Sequence, residues 1–213
     1  MKKFTLQSLV FVLMLSIVAC GGKDSKPSYS SDKSKTETKE KKSTSAFAVQ
    51  NAKNEIEFTA YKFTEKFPVK GQFKKVEVLS GGEGNSVKEA IHNTEFSIPI
   101  TSLATLDTSR DYKIRKFFFD VMTDTKTLSG KLSISDDTNG VATITMNGES
   151  HDVPFTYTIA GSEFNMKAVI DVNQWNAGAA LASLNKICKD LHTGSDGVSK
   201  TWSEVALNIT STF

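Results

Sequence analysis

Residues 152–172, DVPFTYTIAGSEFNMKAVIDV, alternate apolar and polar side chains on both sides of a short turn. Val153, Phe155, Tyr157 and Ile159 alternate with Asp152, Thr156 and Thr158. After Ala160-Gly161-Ser162, Phe164, Met166, Ala168, Ile170 and Val172 alternate with Asn165, Lys167 and Asp171. A period of two sends every second side chain to one face, which marks a half-buried strand. The brief connection joins the two strands as an antiparallel hairpin.

The same period recurs outward from this hairpin. It runs through Ile56, Phe58 and Ala60; Phe96, Ile98 and Ile100; Leu132 and Ile134; Ala142, Ile144 and Met146; and Val205, Leu207 and Ile209. Turn-rich pieces separate these runs: Asp136–Gly140, Asn147-Gly148, and Ser80–Gly84, whose Gly81-Gly82-Glu83-Gly84 is expected to be a hairpin turn. Many one-faced antiparallel strands must close into a barrel or pack as a sandwich to hide that face and their edges. One stretch breaks the period. Between Asn176 and Leu191, the residues Leu181, Leu184, Ile187, Cys188 and Leu191 fall three or four apart, predicting an amphipathic helix. Asn176 is expected to cap its start and Gly194 to end it, with His192 complementing its C-terminal dipole.

The chain opens with Lys2-Lys3, an uncharged, mostly apolar stretch from Phe4 to Val18, and Ile17-Val18-Ala19-Cys20. A charged start, a short apolar core and a small residue before the cut describe an export signal over residues 1–19. The ending resembles the lipobox of bacterial lipoproteins, which implies diacylglyceryl attachment at Cys20. Acyl chains at roughly 0.8 kcal/mol per buried methylene would then anchor the protein. Residues 21–46 contain no Val, Ile, Leu, Phe or Trp and are dense in Lys, Ser, Thr, Asp and Glu. Such a segment is expected to stay disordered, a tether spanning about 25–30 Å on average. The expected location is the bacterial cell envelope, lipid-anchored. Gly21-Gly22 carry no acid directly after Cys20, as in lipoproteins sent to an outer membrane. Lys23-Asp24 resembles surface-export signals of some bacterial groups, which leaves the periplasmic and surface faces both open.

Residues 47–213 are expected to form one domain, long enough to bury about 70% of its unfolded surface. The whole chain carries +2, but the leader and tether hold the excess lysines, so this domain is mildly acidic. That balance, without basic clusters, argues against nucleic acid. Cys188 is the only cysteine past Cys20, so the domain has no internal disulfide; on the apolar stripe it reads as a small buried hydrophobe. His192, Asp190 and Asp196 match no strong metal pattern, and no nucleophile elbow or phosphate loop is present. No cofactor, metal or catalytic residue is expected.

These residues resemble the YceI-like lipid-binding domain family, an exported bacterial module. Phe47-Ala48-Val49 followed by Glu55–Phe58 is similar to its first strand, and Val69–Val76, with Gly71-Gln72-Phe73, to its second. Ile98–Thr105, then Ser109-Arg110-Asp111, then Phe117–Val121 resembles its longest motif run, and Ala142–Gly148 with Val153-Pro154-Phe155 a later hairpin. Asn51–Asn54 and Thr123–Lys126 depart from the usual pattern, and the Asn176–Trp202 region has no close counterpart there. The resemblance implies an all-β fold with one added helix, an antiparallel lipocalin-like β-barrel of about eight strands. It also implies that the interior takes a long-chain isoprenoid or other lipid.

An eight-stranded barrel leaves an interior that side chains just fill, or that holds one elongated ligand. The candidate lining is Ile56, Phe58, Phe96, Ile98, Leu132, Ile144, Met146, Phe155, Tyr157, Phe164, Met166 and Ile170. The same stripes describe any packed β-core, so the residues alone leave a cavity and a filled core both open. Arg110, in an expected turn, is a possible head-group contact at the barrel mouth, or else fixes that turn through a local ion pair. The alternative to a lipid binder is a cell-surface or periplasmic protein-interaction module with a filled barrel, its protein partner unknown.

Overall fold

The computed structural model describes residues 43–213; the expected leader, Cys20 and nearly all of the tether lie outside the described residues. In chain order the elements begin with β1 (Phe47–Ala48), β2 (Lys53–Lys62), β3 (Phe67–Phe73), β4 (Glu77–Ser80) and β5 (Glu83–Gly84). Then come α1 (Val87–Ile91), β6 (Glu95–Pro99), β7 (Leu103–Ala104), α2 (Thr108–Phe117) and β8 (Thr127–Ile134). The chain finishes with β9 (Asn139–Met146), β10 (Glu149–Ala160), β11 (Glu163–Asp171), α3 (Gly178–Ile187) and β12 (Thr201–Thr212).

Ten strands form one antiparallel curled sheet in the order β4-β6-β8-β9-β10-β11-β12-β2-β3-β7. The two margins, β4 and β7, are short pieces, so eight strands build the body of a lipocalin-like half-barrel. Alternation fixes the register: Tyr157 lies opposite Met166, Ala168 opposite Leu207, and Leu207 opposite Phe58, all facing inward. Tight turns suit the twist. Asn147 and Gly148 both take positive φ (53° and 75°) in the two-residue β9–β10 loop, and Gly161 (61°) does so at the first loop position of β10–β11. Both are the mirror-image turns that hairpins prefer.

The sheet does not close on itself by hydrogen bonds. Beside the β3–β7 margin pack Phe118 and the 3-10 turn Phe119–Val121, with the Phe119 ring 6.4 Å from that of Phe73. The small β1–β5 sheet and α1 cover one end of the barrel; α2 and α3 cover the other. Ser86 caps α1 by accepting from the Glu89 N–H at 3.2 Å, while Glu89 accepts from the Asn85 N–H at 2.8 Å.

Four local expectations are corrected. Gly81 and Gly82 do turn the chain at positive φ, but β4 pairs with β6 and β5 with β1, so they link two sheets rather than a hairpin. Arg110 lies not in a turn but in the first part of α2, whose start is capped by Asp107 accepting from the Arg110 N–H at 3.0 Å. Asn176 does not cap α3: it sits in the left-handed region (φ 53°) ending a 3-10 turn, and its amide donates to Glu149 at 2.6 Å. Helix α3 stops at Ile187, well before Gly194; Leu181 and Leu184 pack inward and Cys188 is buried, but Ile187 and Leu191 stand exposed.

Candidate functional site

Two apolar cavities occupy the barrel, each of about 140 Å³. The upper lobe lies toward α1 and is walled by Ile56, Phe96, Ile98, Leu132, Ile144, Phe164 and Met166, with Val49, Val78 and Ile91 at its end. The lower lobe is walled by Phe58, Ala60, Trp202 and Val205 and covered by Ile114 of α2 and Leu181 and Leu184 of α3. Phe73, Leu128, Met146, Ile170 and Leu207 line both, so the two lobes meet at a waist of five side chains. Each lobe alone is smaller than the roughly 300–1,000 Å³ of a pocket for a compact drug-sized ligand. The arrangement is long and narrow.

Polar atoms in the walls are few and already used. In the upper lobe the Ser211 hydroxyl donates to Asn54 Oδ1 at 2.6 Å, Asn54 Nδ2 donates to the Val49 carbonyl at 2.8 Å, and the Thr94 hydroxyl donates to the Ala90 carbonyl at 2.6 Å. In the lower lobe Thr201 Oγ1 lies 2.6 Å from His192 Nδ1 and 2.8 Å from Asn185 Oδ1, and Trp202 Nε1 donates to the Phe63 carbonyl at 2.6 Å. Among the described residues no buried side-chain nitrogen or oxygen lacks a partner. A cavity whose polar groups are consumed by the protein offers water nothing and stays dry. It favours a hydrocarbon.

The structure gathers most of the sequence-derived lining around these lobes. Ile56, Phe96, Ile98, Leu132, Ile144, Met146, Phe164, Met166 and Ile170 line the upper lobe and Phe58 the lower. Phe155 and Tyr157 line neither. The Phe155 ring lies against Gly140, and Tyr157 packs tilted on Phe164 at 5.4 Å while its hydroxyl donates to the Asp136 carbonyl at 2.6 Å. The waist residues Phe73, Leu128 and Leu207 were missed, although Leu207 lay on a recognised stripe and Phe73 in the Gly71-Gln72-Phe73 motif. Ile114, Phe118 and Phe119 enter from the α2 region, which carried no strong periodic signal.

A larger hollow of about 750 Å³ lies on the outer face of the sheet, among Glu57, Lys70, Thr156, Lys167 and Asn208. Its walls are mixed, these polar groups standing beside Pro154, Val169 and Ala206 with Phe58 and Phe155 also bordering it, and Asn208 already donates to Glu57 at 3.1 Å. The smaller interior lobes have the better chemistry for an apolar ligand.

Cations gather where α2, α3 and the end of β2 meet. Lys62 Nζ donates to the Leu191 carbonyl at 3.0 Å, and Arg110 Nη2 lies 3.6 Å from Asp107 Oδ2. Burial, and secondarily the charges of Lys62, Arg110 and Lys113, push the His192 imidazole down to about 4. His192 is therefore neutral at pH 7 and does not complement the helix dipole, contrary to the sequence expectation. Burial likewise pushes the Cys188 thiol up, which keeps it protonated and unreactive.

The fold and interior define a half-barrel of the kind that encloses an apolar ligand. The YceI-like domain family matches residues 47–213, and the chain belongs to that family. A polyisoprenoid binding domain from Saccharophagus degradans, implicated in plant cell wall breakdown, has a similar fold. It is 11% identical with a TM-score of 0.53, over 77% of this chain and 93% of that one. BcnA of Burkholderia cenocepacia is 18% identical over 74% of this chain and 94% of its own, with a TM-score of 0.49. The YCEI protein of Campylobacter jejuni is 19% identical over 69% and 85%, also with a TM-score of 0.49. No curated protein matches the chain in sequence.

Proposed function

We propose that this protein is an exported lipoprotein, anchored through Cys20, whose barrel takes the tail of a long-chain isoprenoid-type lipid for sequestration or transfer in the cell envelope. The observation that carries this reading is the dry interior: two lobes meeting at five shared wall residues, with every buried side-chain nitrogen and oxygen among the described residues satisfied. Family membership and the polyisoprenoid-binding fold neighbour support it. Met146 at the waist and Met166 in the wall suit a ligand without fixed shape. Among the described residues no titratable side chain lines either lobe, which suits an apolar ligand. Arg110, at the rim, is the proposed contact for an anionic head group.

Native mass spectrometry of the chain exported from a bacterial host, followed by solvent extraction, tests the ligand. A discrete added mass that extracts as a long-chain isoprenoid is the expected result. A bare mass that persists after incubation with quinones and polyprenyl phosphates would leave a filled barrel and favour the protein-interaction reading. Cys20→Ala is expected to move the protein out of the membrane fraction; unchanged partition would remove the anchor.

A further inference from the structure

The elements covering the lower lobe expose apolar side chains beside lysines that form no ion pair among the described residues. Leu106 is 95% exposed in the loop entering α2 and holds a left-handed backbone (φ 61°) that side chains with a Cβ disfavour. Phe67 on β3, Tyr112 on α2, Ile187 on α3 and Leu191 just after it are also exposed. These positions are physically tied together. Lys62 bonds the Leu191 carbonyl and sits 4.4 Å from the Phe63 ring centre and 5.7 Å from that of Phe67, and α2 packs on α3.

Charge at this end follows a simple pattern. Glu204 is paired with Lys66 at 3.1 Å, Asp196 accepts from Thr64 at 2.6 Å, and Asp107 caps α2, while Asp190, exposed beside Leu191, forms no ion pair among the described residues. Among the described residues no carboxylate pairs with Lys62, Lys113, Lys186 or Lys189. At the opposite end Lys53 and Lys88 are paired with Glu55 and Asp137, and the exposed turns carry Asp136 and Glu163. Apolar side chains flanked by lysine fit the boundary between head groups and acyl chains of an anionic leaflet, where rings and aliphatic groups enter and ammonium groups meet phosphate.

We propose that the α2–α3 end of the barrel docks on an anionic lipid leaflet, with Leu106, Phe67 and Leu191 entering the head-group layer, so that the lower lobe faces the membrane it exchanges lipid with. The exchange clause rests on the carrier reading; the docking surface itself does not.

Hydrogen exchange by mass spectrometry on the full chain tests this, comparing vesicles of phosphatidylcholine with phosphatidylglycerol against phosphatidylcholine alone. An acyl anchor would hold the protein on both, so the difference reports docking. Slower exchange in residues 104–113 and 186–192 on the anionic vesicles is expected, with exchange around Leu79 and Ile159 unchanged. The protection is expected to disappear in high salt and in Leu106→Ser/Leu191→Ser, and to survive Leu79→Ser. Because all three leucines are exposed, each variant retains its core. Equal protection at both ends, equal protection on both vesicle types, or protection that arises without vesicles as protein concentration rises would overturn the proposal; the last would make this face a contact between copies. Native mass spectrometry on the same samples separates the two readings. A loaded barrel with an unprotected rim overturns docking alone, and a bare barrel with a protected rim overturns the carrier alone.

Discussion

His192 shows how one buried ring sets a pH limit on the domain. Burial holds its imidazole at about 4 in the folded protein against an ordinary 6.5, so the unfolded chain takes up a proton first as pH falls. Its contribution to stability is complete above pH 6.5 and is lost as pH falls through the window down to about 4. His192→Gln is therefore expected to flatten that part of the stability–pH curve, measured by urea unfolding across the window. Identical slopes in the two proteins would show that the imidazole is not the titrating group. At Gly130 the constraint is steric. A Cβ there would strike the Thr143 carbonyl oxygen of the neighbouring strand and approach the Phe96 ring to 2.9 Å, so Gly130→Ala is expected to cost about 1–3 kcal/mol. An unchanged urea midpoint would contradict this packing. Residue-level reading of the sequence reached most of the lining because alternation assigns a face. It misplaced Phe155 and Tyr157 because alternation does not say where along that face space remains. Phe155 lies against Gly140 and Tyr157 reaches the Asp136 carbonyl, and neither contact is local in sequence.

Among the elements, α2 is held in place largely by polar bonds, its one buried residue being Asp111. Its sequence, TSRDYKIRKF, turns Ile114 into the lower lobe, and polar bonds do the rest. Buried Asp111 accepts from both the N–H and the hydroxyl of Thr105, at 2.7 and 2.6 Å, and Arg115 donates to the Leu103 carbonyl at 3.2 Å. Asp111→Ala would leave the buried Thr105 N–H without its acceptor and the Thr105 hydroxyl with only the Asp107 carbonyl at 3.4 Å, at a cost of about 1–3 kcal/mol. Hydrogen exchange is expected to rise in 105–117 more than in the strands; a uniform rise would mean that α2 is not separately moored. The same polar seating explains why α2 was not legible as a helix: its clearest local signal, Asp107 as cap, was submerged in a motif resemblance. The α3 helix was legible from Leu181 and Leu184 but expected to run too far. The three-and-four spacing continues through Ile187 and Leu191, while the body of the domain ends before them.

At the scale of the molecule, the interior holds two lobes that share five wall residues. Seven of the eight body strands were legible as alternating runs, β3 only through the motif resemblance, and closure not at all. Whether β3 and β4 meet, and what plugs the ends, depends on Phe118, Phe119, α1 and α3 arriving from distant parts of the chain. The shared wall gives a length-dependent prediction. Leu207 lies at the waist, on β12 between Ala168 and Phe58, and contacts both lobes. Leu207→Trp would add bulk where the proposed tail would pass, leaving the far wall of each lobe in place. A ligand bound to the folded state raises stability by about 2.7 kcal/mol at a hundredfold excess over its Kd, which a thermal melt resolves. In the unaltered protein the shift in melting temperature is expected to grow with isoprenol length, until the tail fills both lobes. In Leu207→Trp short isoprenols are expected to keep their shift, while longer ones add nothing further. A variant that still gains with every added unit would show that the tail does not cross the waist, and the two lobes would then be separate sites. If the variant alone melts early, comparison of ligand-induced shifts rather than absolute temperatures keeps the test intact, since overpacking lowers both liganded and free states together.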